Sequence, residues 1–150
     1  MMKLDKILVN NQTEIINEAF YSLERSHLKH YDTSRADENW QRLAKLFDLT
    51  LNGVKNKSLV DMVTYSEKIA KERYDSGFDL HEVHTAYNVL EESIWKAIIK
   101  EIDSADLAES LGLISTVLGT GKESLAIAFV SLSGKQRVKS LILSQLFRGK

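Results

Sequence analysis

The 150-residue chain contains no cysteine and no proline, and only seven glycines. Without cysteine there is no disulfide and no thiolate metal site, which fits a reducing cytoplasm. Average usage of about 5% would give roughly seven prolines, so their absence leaves long helices free to run unbroken. Charge of one sign is also lacking. The formal net charge is −1, so the chain has no electrostatic footprint for nucleic acid. No apolar run in the sequence reaches the ~18 residues that a bilayer demands, and the N-terminal "MMKLDK" lacks the apolar stretch of a signal peptide. These features describe one cytoplasmic domain over residues 1–150, bound neither to membrane nor to nucleic acid.

What is present is helical periodicity. Ile16, Ala19, Phe20 and Leu23, followed by His27 and His30, keep one face of a first helix, with "NNQTE" at 10–14 as an interruption or cap. Asp32, Thr33 or Ser34 can cap a second helix carrying Trp40, Leu43, Ala44, Phe47, Leu51 and Val54, with an exit near Asn56. Ser58 and Asp61 have capping-box spacing before a third helix that ends at Gly77, where a left-handed residue is expected. Asp79 and Glu82 form a second box and open a helix with Leu80, Val83, Tyr87, Leu90, Ile94 and Ile98. Asp103 or Ser104 caps the next, through Phe129. "SLSGKQ" is expected to break it before a short last helix. The fold class is therefore all-α, a single-domain bundle of five to six helices.

Chemistry is harder to find. His27/His30 and His81/His84 are both H-x-x-H, one residue short of the helical zinc spacing H-E-x-x-H. Histidines three apart share a helix face and could approach one metal, with Glu91 as a conceivable third ligand of the second pair. A haem would need an axial histidine, and His27, His30 and His84 are the candidates. The simpler reading has His81 facing solvent, His84 bonded to a neighbour at the stripe margin and His27 near a helix end. "GTGKES" at 119–124 imitates a phosphate loop but has Thr116 and Glu123 where glycine and Ser/Thr belong, and it lies in a helical pattern. Its glycines suit a close helix crossing or a bend instead. No nucleophile elbow or organised acid/base pair is visible, so no enzyme is expected. The basic, amphipathic tail "KQRVKSLILSQLFRGK" suits packing on the domain or on a second copy, with binding to a membrane surface or a partner as the alternative.

The stretch "AKERYDSGFDLHEVHTAYNVLEESIWKAI", residues 70–98, resembles the RsbRD-type N-terminal domains of bacterial stressosome co-antagonists and sensor histidine kinases. The likeness is carried by Glu72, Arg73, Gly77, Phe78, Leu80, Glu82, Val83, Ala86, Tyr87 and Trp95. The helix with Trp40, Leu43 and Phe47 extends it more weakly to about residues 10–130. It implies a stress-signalling input module related to globin-like helical sensors that lack haem, either stand-alone or part of a longer protein. His84 falls where that family has an aliphatic residue, so no ligand role carries over. The expectation is a non-enzymatic sensor or adaptor without cofactor, a homodimer whose terminal helices pair, with a signalling protein as partner. Trp40, Tyr74, His84, Tyr87 and Glu91 are the expected lining of a ligand cavity, because each puts a polar tip on an apolar face. The alternative is a haem- or metal-binding sensor using His84 or His27/His30.

Overall fold

A computed structural model describes residues 3–148, with side chains described up to residue 135. Among the described residues the chain forms helices joined by short turns, with no strand. They are α1 (Leu4–Asn10), α2 (Gln12–Arg25), α3 (Lys29–Thr33), α4 (Ala36–Asn56), α5 (Val60–Asp75), α6 (Leu80–Glu101) and α7 (Leu107–Arg148). Among the described residues the bundle has seven helices, against the five to six expected.

The extra helices come from the first segment. "NNQTE" does interrupt it, at Asn11, whose Nδ2 donates to the Ile7 carbonyl at 2.8 Å. The face does not run on to His27. That residue is left-handed (φ 49°) and its side chain is 81% exposed, so it is a joint after α2. Three other expected signals shift. The residue before α4 is Arg35, without a side-chain cap from Asp32, Thr33 or Ser34. The left-handed exit of α4 is Lys57 rather than Asn56. Ser58 and Asp61 form no box, and the residue before α5 is Leu59. At the other end, α7 does not break at "SLSGKQ". A single glycine costs a helix only about 1 kcal/mol, which neighbouring turns can absorb when no proline is present.

The joint between α5 and α6 forms as its sequence dictates. Gly77 has φ +90°, and the N–H groups of Gly77 and Phe78 donate back to the Tyr74 and Arg73 carbonyls. Asp79 and Glu82 make the reciprocal box at the start of α6. A Cβ at Gly77 would also lie 3.3 Å from His30 Nε2. Gly77→Val is therefore expected to destabilise the fold by about 1–2 kcal/mol or more, since left-handed backbone penalises any Cβ. Chemical unfolding checks this, and an unchanged midpoint would refute the role of the joint.

Helix α6 is the hub, packed by α2 and α1 on one side and α7 on the other, while α5 lies along α7 and α4 closes the bundle. Val83, Tyr87, Leu90, Ile94 and Ile98 of α6 meet Ile15, Ile16, Phe47, Met62, Ile114, Leu118 and Leu125 in one core. Each such side chain, fully buried, contributes about 1.5–3 kcal/mol. Helix α7 is about 63 Å long and α6 about 33 Å, at 1.5 Å per residue. The last buried side chain described on α7 is Phe129, and the helix continues to Arg148. Part of α7, Leu107–Lys135, is long and apolar enough to cross a bilayer by length and composition, with a mean hydropathy of 1.3. The sequence reading missed it because Lys122 and Glu123 interrupt the run.

Candidate functional site

Two polar clusters interrupt the apolar packing, one at the α5–α6 joint and one further along α6. The first is built on Glu82, which is only 4% exposed. One carboxylate oxygen accepts the His30 backbone N–H at 2.8 Å. The other lies 2.6 Å from His30 Nδ1 and accepts the Asp79 N–H at 3.1 Å. An ionised carboxylate only accepts, so Nδ1 carries the proton. Glu82 thus caps two helices, its own α6 and the distant α3, whose second residue is His30. Burial pushes the Glu82 pKa up. The backbone hydrogen bonds from His30 and Asp79, with the side-chain bond and charge of His30, outweigh it and hold the carboxyl below its ordinary value.

Around this pair, Phe78 is an aromatic floor. Its ring centroid is 4.9 Å from that of His30 and 5.1 Å from that of Tyr31, the latter edge-on. The guanidinium carbons of Arg42 and Arg73 sit 5.6 and 5.8 Å from the same centroid, within cation–π range. Asn39 ties the cluster to α4, donating to the Tyr31 carbonyl at 2.8 Å and accepting from Arg42 at 3.0 Å.

The second cluster lies where α6 faces α7. Glu91 and Lys122 pair at 3.1 Å with side chains 12% and 18% exposed. His84 Nδ1 lies 3.2 Å from Asn88 Nδ2. Burial first, then the charges of Lys122 and His81, lower the His84 pKa against the opposing pull of Glu91. Residues 84, 88, 91 and 95 recur at helical spacing, so His84, Asn88, Glu91 and Trp95 share one side of α6. Trp95 Nε1 is buried with no hydrogen-bond partner among the described residues.

The five expected cavity residues do not converge. His84 and Glu91 belong to this α6–α7 seam. Tyr87 is a core residue, 1% exposed, its hydroxyl 2.8 Å from Ser66 Oγ, and burial pushes its phenol pKa up. Tyr74 stacks edge-on against Phe129 and lines a cleft of about 300 Å³ with Phe78, Leu80 and Val130. Trp40 is on the other side of the bundle, its indole donating to Asn17 Oδ1 at 2.8 Å. Among the histidines, His81 is exposed, His30 is held by Glu82 and His27 lies 3.7 Å from Asp32. Among the described residues no three His, Asp or Glu side chains are grouped to hold a metal ion. "GTGKES" is mid-helix, and its lysine is the partner of Glu91.

Sequence reasoning missed the arginine pair, Asn39 and the His30–Glu82 bond. The only local signal was a half-buried arginine three residues after a buried asparagine, and neither burial shows in composition. No family model, curated protein or solved structure matches this chain.

Proposed function

We propose that the chain is a non-enzymatic signalling input or adaptor domain of the bacterial stress-response kind. A ligand or partner would be read as a change in how α7 packs on α5 and α6. The observation that carries this reading is the continuous α7, packed on the bundle over its first part and running on as a helix to Arg148. A rigid rod of that length transmits a shift at the bundle to its far end. The seam it rests on is suited to repacking, because the Glu91–Lys122 pair and a Trp95 indole with no partner among the described residues leave it less tightly determined than the core. Phe78 adds coupling, since it lines the cleft beside Phe129 of α7 and also forms the floor of the arginine cluster. The resemblance of residues 70–98 to RsbRD-type domains points the same way and includes the globin-like, haem-free relation. In this reading the domain acts in the cytoplasm, without a cofactor, as an adaptor for a signalling protein.

The same helix is the proposed dimer contact. Ile127 and Val130 are each 64% exposed, and Gly112, Gly119 and Gly134 have open space where a side chain would stand. An apolar strip with small residues lets a second helix approach closely. Because the chain has no cysteine, a single engineered thiol is unambiguous. Val130→Cys is expected to give a disulfide-linked dimer under mild oxidation, whereas Glu92→Cys, exposed on α6, is not. Spin labels at position 130 should then report a displacement on the order of 1–2 Å or more when the seam is broken by Lys122→Met. A monomeric mass with no cross-link would remove the dimer. A dimer whose label distance ignores Lys122→Met would remove the repacking mechanism.

A further inference from the structure

The arginine cluster makes sense as a binding site for an anion. Arg42 and Arg73 come from different helices, α4 and α5, yet both stand over the Phe78 ring. Their side chains are 26% and 12% exposed, so two positive charges are drawn largely out of water within range of each other's field. The burden is visible in Arg42, whose pKa is lowered by burial first and then by the charge of Arg73. The carboxylates at hand do not neutralise the pair. Both Glu82 oxygens are taken by His30 and Asp79. Glu38 is 3.9 Å from Arg42 and Glu72 is 3.7 Å from Arg73, and both are about half exposed. Contacts of that length are not hydrogen bonds and are screened by solvent.

Arg42 spends two donor contacts on Asn39 and Ser34. Arg73 makes no hydrogen bond to another described residue within the usual distance, so its planar fork of N–H groups is unspent. Two phenols complete the surroundings. Tyr31 and Tyr65 both feel the charges of Arg73 and Arg42, and burial pushes the Tyr31 phenol up to about 12, so it remains a neutral O–H donor. Neither hydroxyl has a hydrogen-bond partner among the described residues. Two half-buried guanidiniums over one aromatic ring, with two phenols near enough to feel their charge, leave more donors than the loosely held carboxylates engage. Oxyanions match it, because an arginine fork accommodates a carboxylate or phosphate with paired hydrogen bonds.

We propose that Arg42 of α4 and Arg73 of α5, both over the Phe78 ring, bind the phosphate or carboxylate group of a small ligand. This assignment stands apart from the signalling reading and survives if α7 transmits nothing. It is tested by thermal unfolding in sodium phosphate and in sodium acetate, each against sodium chloride at matched ionic strength. Binding to the folded state is expected to raise Tm by on the order of 5 °C in at least one oxyanion at saturating concentration. The arm that responds identifies the headgroup. Arg73→Met should lose that rise while melting in chloride no lower than the parent, because the variant relieves the repulsion and keeps an apolar contact with Phe78. Tyr65→Phe, which removes a single hydroxyl, should weaken the rise without changing the fold and so decides the matter if Arg73→Met fails to fold. Equal melting of the parent in all three salts overturns the proposal. An oxyanion-specific rise that persists undiminished in Tyr65→Phe and Arg73→Met does so too.

Discussion

Glu82→Ala is expected to destabilise the protein by about 3–5 kcal/mol, a large share of the stability of an ordinary domain. The substitution strips one acceptor from three donors at once: the His30 N–H, the His30 ring and the Asp79 N–H. Two helix starts lose their cap together, which is why the effect should exceed the ~1 kcal/mol typical of a single cap. Glu82→Gln keeps the shape but supplies one accepting oxygen instead of two, and its cost should fall between. Urea unfolding at neutral pH measures both, and a loss below about 1 kcal/mol for alanine would show that the contacts are incidental.

The same carboxylate sets a pH dependence. Its folded pKa is depressed, so the folded state holds this proton more weakly than the unfolded state does. Its contribution is therefore complete above the unfolded carboxylate value of about 4.3 and is lost as pH falls below that, through the lower folded value. As pH falls below about 5 the parent should lose more stability than Glu82→Gln, and the two curves should converge at the acid end. Other carboxylates contribute equally to both proteins and cancel in the difference. Parallel curves would mean that Glu82 titrates alike folded and unfolded.

Helix signals written within one or two turns were legible, and those completed by a distant partner were not. The α5–α6 joint was readable because Gly77 and the Asp79–Glu82 box act within six residues. The second role of Glu82 was hidden, because its other partner is 52 residues away. The same distance effect explains α3. Its residues carry no side-chain cap of their own, so His27 and His30 read as the end of the first helix, and Asp32, Thr33 and Ser34 as caps of the next one. At the other end, Gly134 suggested a break that the helix does not make, since glycine weakens a helix without forbidding it. The expected cavity residues show a similar limit. Helical spacing correctly put His84 and Glu91 on one side of α6, but it could not tell that Tyr87 turns into the core toward Ser66 or that Trp40 faces Asn17.

Two glycines on α7, two residues apart, should respond to alanine with opposite sign. At Gly119 a Cβ would meet nothing within 4 Å in its own chain, so Gly119→Ala is expected to stabilise the single chain by up to about 1 kcal/mol through helix propensity, measured at protein concentrations low enough to keep it monomeric. At Gly121 a Cβ would stand 2.8 Å from Met62 Sδ and 2.9 Å from Tyr87 Cε2. The Met62 side chain can swing aside, but Tyr87 is fixed by burial and by its contact with Ser66. Overpacking of this kind costs about 1–3 kcal/mol for a methyl group, and Gly121→Leu should exceed that range. Urea midpoints of the two alanine variants would settle it, and equal shifts would show that α7 is not held close at Gly121. The position is also the one next to Lys122, so whatever pries α7 away here strains the Glu91 pair directly. Gly121→Ala should therefore move spin labels at position 130 in the same direction as Lys122→Met, because both loosen one crossing of α7 over α5 and α6.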